Sequence, residues 1–113
     1  MMSVYNSKNE HDEAIERISE MEERLDRVKS AVKELGRTLD DFSGIINELQ
    51  ALKKYYCSEK WKQDFQADEN GEFPSDMKRG VLSEDAVWNL LEYNRELAET
   101  MRNLSDEMLE DQI

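Results

Sequence analysis

The sequence predicts an all-α protein: a long N-terminal amphipathic helix packed antiparallel against a C-terminal helix, with a short helix and turn forming an aromatic cap between them. Three observations carry this. The 113 residues include only four Gly and one Pro, and abundant Glu, Lys, Leu and Arg complete a helical composition. Apolar residues recur at alternating spacings of four and three from Ala14 to Leu49, which is the period of a helix seam. Pro74, Asn70-Gly71 and Gly80 then cluster in one short stretch, where turn chemistry must reverse the chain.

The first helix is expected over residues 10–56, with residues 1–9 frayed. Its seam runs Ala14, Ile18, Met21, Leu25, Val28, Val32, Leu35, Leu39, Phe42, Ile46 and Leu49. Glu13 with Arg17, Glu20 with Arg24, and Glu23 with Arg27 place an acid four residues before a base. Each such pair stabilises an exposed helix by about 0.3–0.5 kcal/mol. After Leu49 the stripe changes phase through Leu52 and Tyr56. Gly36 and Gly44 lie off the seam, and each costs about 1 kcal/mol against Ala inside a helix. Residues 36–44 are therefore the expected place for a bend, which would turn the hairpin into a three-helix bundle.

The middle segment reads as a short helix over 58–66 followed by a turn over 67–82. Ser58 is placed to cap that helix, although the first helix running on to about residue 66 is the other reading. Trp61 and Phe65 sit one turn apart on it. Asn70-Gly71 suits positive φ, and Pro74 forbids a continuing helix. DENG is a poor calcium loop: with Gly71 sixth, the first and twelfth positions are Gln66 and Met77, where an EF-hand needs Asp and Glu. In RGVLSEDAVWNLL, Ser83 is placed as N-cap of a helix over 83–111. Glu84 and Asp85 follow in its first turn, and Leu82 and Val87 stand at the hydrophobic-staple spacing. Its stripe holds Val87, Leu90, Asn94, Leu97, Met101, Leu104 and Met108. Asn94 in that seam can fix register or oligomer state. The whole reads as one helical domain, 1–113.

YYCSEKWKQDF, a turn ending in FP, and GVLSEDAVWNLL together resemble the bacterial family catalogued as domain of unknown function 4298. The resemblance covers roughly residues 12–104. It rests on Tyr55, Tyr56, Ser58, Trp61, Asp64, Pro74, Gly80, Val81, Leu82, Ser83, Glu84 and Asp85. It implies a small all-helical fold and lends no activity.

Charge and residue supply narrow the function classes. The net charge is −12, which repels phosphate backbones and argues against direct nucleic-acid binding. A single cysteine, Cys57, and a single histidine, His11, leave no disulfide and no zinc set. Cys57 has no nearby His to activate it and reads as a small, partly buried filler. No apolar run approaches the roughly 20 residues that span a bilayer. MMSVYNSKNEHDE lacks a signal peptide's charged start and apolar stretch, so a cytoplasmic setting is expected. No catalytic, metal or cofactor residue is assigned. Glu13/Glu16, Glu20/Glu23, Glu23/Asp26 and Glu96/Glu99 have the spacing of magnesium-binding helical pyrophosphatases. Among 27 acidic residues, such pairs also arise by chance on solvated faces.

Seven of the nine aromatics fall between residues 55 and 93. The expected aromatic cap or groove comprises Tyr55, Tyr56, Trp61, Phe65, Phe73 and Trp88, with Asp64, Lys78 and Arg79 at its rim. The interface seam comprises Ile18, Met21, Leu25, Val28, Val32, Leu35 and Asn94. The first helix outruns the last by about 19 residues, or roughly 28 Å of stripe at 1.5 Å per residue. Such a stripe calls for a bend, a homodimer or another protein. The leading functional expectation is a protein–protein interaction module without catalysis, acting through self-association or a protein partner and without a membrane. The alternatives are a small magnesium-dependent hydrolase using helical carboxylates and an acidic nucleic-acid mimic that binds a basic protein.

Overall fold

A computed structural model describes residues 3–110. Helix α1 spans Lys8–Tyr56, α2 spans Glu59–Glu69 and α3 spans Ala86–Leu109, with a single 3-10 turn at Gly80–Leu82. No strand occurs among the described residues, so the fold is all-α. None of the described helices is long and apolar enough to cross a membrane. The chain divides into two compact units, Met1–Ile45 and Ile46–Ile113.

The N-terminal unit is built on the start of α1. Ser7 Oγ accepts the Glu10 backbone N–H at 3.1 Å, and the Glu10 carboxylate accepts the Asn6 N–H at 2.7 Å. The Ser7 contact satisfies a donor that a helix start otherwise leaves open, and the Glu10 contact ties down the residue before the cap. The cap begins the helix two residues before the expected start, inside the segment expected to fray; residues 1 and 2 of that segment lie outside the described residues. Tyr5 meets His11 edge-on with ring centroids 5.8 Å apart. Ala14, one turn inside, is 2% exposed and is the buried residue of α1.

Helical structure is continuous through Gly36 and Gly44. Ser43 turns its hydroxyl onto the Asp40 carbonyl at 2.9 Å, which satisfies a polar side chain within the helix. The expected pairs of Glu13, Glu20 and Glu23 with arginines do not close. The ion pairs among the described residues are His11–Asp12, Lys62–Glu59 and Arg79–Asp68. Exposed pairs gain little in water and cost side-chain freedom. Arg24 instead lies against the Met21 sulfur at 4.0 Å.

The C-terminal unit is a helical hairpin made from the end of α1, α2, the 3-10 turn and α3. Ser58 separates α1 from α2: its hydroxyl accepts the Trp61 N–H at 3.3 Å and donates to the Tyr55 carbonyl at 2.6 Å. Helix α2 runs on to Glu69 and ends at Asn70, and Gly71 takes φ +74°, the left-handed value glycine adopts without strain. Helix α3 starts at Ala86, three residues beyond Ser83. Ser83 Oγ nevertheless accepts the Ala86 N–H at 3.2 Å, so it caps the incoming turn while Glu84 and Asp85 form that turn. The staple residues Leu82 and Val87 are 5% and 4% exposed and are the buried apolar residues of this unit. Helix α3 is described to Leu109, and residue 111, expected in it, lies outside the described residues.

Candidate functional site

The aromatic cap grows from the α1–α2 junction. The Ser58 break sets Tyr55, Tyr56, Trp61 and Phe65 within three helical turns. Tyr56 meets Trp61 edge-on at 5.0 Å between centroids, and Trp61 stacks on Phe65 at 5.1 Å with the planes 19° apart. Each aromatic pair adds about 0.5–1.5 kcal/mol beyond its buried area. The polar ends of the rings then tie distant segments together. Trp61 Nε1–H donates to the Val81 carbonyl at 2.9 Å, reaching the 3-10 turn. The Tyr56 hydroxyl donates to the Glu84 carbonyl at 3.1 Å, reaching the entry to α3.

Asp64 accepts the Tyr55 hydroxyl at 2.6 Å. Burial of the phenol, then the hydrogen bond and the negative charge of Asp64, push the Tyr55 pKa up to about 12. Arg79 fastens the returning loop. Its guanidinium pairs with Asp68 of α2 at 2.8 Å and also donates to the Pro74 carbonyl and, at 3.4 Å, to the Met77 carbonyl. Asp64 thus ties α2 to the end of α1, while Asp68 and Arg79 hold α2 and the loop together. Lys78 is exposed and Phe73 is half-buried in the loop.

Trp88 stands apart from that ring cluster and is 55% exposed. It lines a groove of about 460 Å³ between the last stretch of α1 and the first half of α3. Ile46, Leu49, Gln50, Lys53, Tyr56 and Cys57 form one wall. Trp88, Leu91, Glu92, Asn94 and Arg95 form the other. Asn94, expected in a seam, therefore lies in a groove wall. Cys57 is exposed, because it follows the last residue of α1 rather than facing a core. The groove was hidden from sequence reasoning because its two walls are some forty residues apart in the chain. One signal was present: Ile46, Leu49, Lys53 and Tyr56 share one face of a helix.

In the N-terminal unit the seam residues present an open apolar face. Ile18, Met21, Leu25, Val28 and Val32 are 49–60% exposed, and Leu35 is partly covered. Ile15, beside them, is 52% exposed. Among the described residues, no three His, Cys, Asp or Glu side chains gather as a metal ion would require.

A family model described as domain of unknown function (DUF4298) matches residues 18–104. No curated protein and no solved structure matches the chain.

Proposed function

The chain belongs to the DUF4298 family, and for this member we propose a protein–protein interaction module whose docking surface is the apolar face of α1. The exposed row Ile15, Ile18, Met21, Leu25, Val28 and Val32 carries the reading. Six large apolar side chains in one helical row make a contiguous patch, and patches of this kind mark interaction sites on soluble proteins. From Ile18 to Val32 the row keeps heptad spacing, so the partner surface it fits is another amphipathic helix, from a second copy or another protein. The aromatic cap is a structural closure: its polar ends are engaged within the chain, and it holds the hairpin that carries the groove.

Affinity capture of the tagged chain from its native cell extract, at low and moderate salt, tests this. An apolar interface retains its partner at moderate salt, whereas contacts between exposed charges are screened there. The expected result is a near-stoichiometric partner at both salts that Val28→Lys abolishes. A partner lost at moderate salt and indifferent to Val28→Lys would replace this reading with charge mimicry. The capture of no partner, together with a monomeric chain, would overturn it.

A further inference from the structure

The hairpin groove and the α1 face have complementary size and charge. The groove floor is apolar, from Ile46, Leu49, Trp88 and Leu91, and its rim carries Lys53 and Arg95 against Glu92. That is a cation excess inside residues 46–113, a stretch whose net charge is −8. An occupant that fits is a helix with an apolar ridge and negative flanks. Residues 12–25 have both. Ile15, Ile18, Met21 and Leu25 are about half exposed. Six carboxylates stand beside them against Arg17 and Arg24. Lengths agree as well: the ridge Ile15–Leu25 rises about 15 Å, and the α1 wall over 46–57 rises about 17 Å.

We infer that the groove receives the acidic amphipathic stretch of α1, residues 12–25, from a second copy of this chain. Each copy offers one ridge and one groove, so two copies hold the parts for the same contact in both directions. In each contact Ile18 and Met21 enter between Leu49 and Leu91 against the face of Trp88, and carboxylates such as Glu22 meet Lys53 and Arg95. This rests on the interaction-module reading and names the partner.

Sedimentation equilibrium of the full chain, across a wide concentration range, tests it with three proteins. The unmodified chain is expected to dimerise. Ile18→Lys disables the ridge, and the pair Lys53→Glu with Arg95→Glu disables the rim. All three positions are exposed, so circular dichroism should show both variants folded. Each variant should weaken dimerisation by more than about tenfold. A mixture of the two should regain a heterodimer, because one ridge and one groove remain intact between them.

A monomer at every concentration overturns the inference. So does a dimer lost with Ile18→Lys but untouched by the rim variant, which is ridge packed on ridge. A dimer that Ile18→Lys leaves intact also overturns it, placing the contact elsewhere. The first of these outcomes leaves the interaction-module reading standing wherever the extract supplies another partner that Val28→Lys abolishes.

Discussion

At the scale of single residues, the cap is held by a few hydrogen bonds that reach across the chain. Trp61 Nε1 is bonded to the Val81 carbonyl. Trp61→Phe keeps an aromatic ring but removes that donor, and should cost about 1 kcal/mol in urea unfolding. Tyr55 and Asp64 give a pH signature. Because the phenol's pKa is raised in the folded chain, from 10.0 to about 12, the neutral phenol is the favoured native form. Its contribution is complete below pH 10, and is lost as pH rises through the folded value. Asp64→Asn should bring the Tyr55 pKa back down toward 10, read from phenolate absorbance during alkaline titration. An unmoved titration would separate the shift from Asp64. Ser58, Ser83 and the Asn70-Gly71 turn were readable in the sequence, because capping and positive φ select few residue types. The Ser-x-x-Glu signal at 7–10 was equally present, and hidden only by its closeness to the chain terminus, where fraying is the default expectation. Arg79 as a loop clamp was not readable, since its partners Asp68 and Pro74 are brought to it by the turn.

At the scale of elements, α1 tolerates its glycines because nothing presses on them. A Cβ added at Gly36 or Gly44 would meet nothing within 4 Å. Gly36→Ala and Gly44→Ala should therefore each stabilise α1 by up to about 1 kcal/mol, raising its midpoint in thermal unfolding followed by circular dichroism. Both glycines carry a helical cost, which the continuous helix accepts, since propensity is a weak local term. The entry to α3 behaves oppositely. Leu82 and Val87 are among the few buried residues, so Leu82→Ala should cost about 2–5 kcal/mol and loosen the hairpin. Their staple spacing was legible from the order of residues alone. The 3-10 turn was not: three residues, Gly80–Leu82, carry no periodicity, and that turn forms where Trp61 and α3 converge on it.

For the whole molecule, the decisive feature is how little is buried. Ala14, Leu82 and Val87 are the buried apolar residues among those described. The seam that heptad spacing marks most strongly, Ile18 to Val32, stays open. Periodicity tells which face of a helix is apolar. It does not tell what covers that face, so an occupant of the face is not legible in sequence. An open helical face has few tertiary contacts to protect its backbone, so it should open locally at lower cost than the hairpin. Occupancy of the face should slow that opening by mass action. The most direct measurement is native-state amide hydrogen exchange of the full chain, once as a dilute monomer and once at a concentration or with a captured partner that fills the surface. The account predicts that amides of residues 15–35 exchange far faster than those of α2 and early α3 in the dilute sample, and gain protection when the surface is occupied. Full protection of residues 15–35 in the dilute monomer, unchanged by any addition, would contradict it.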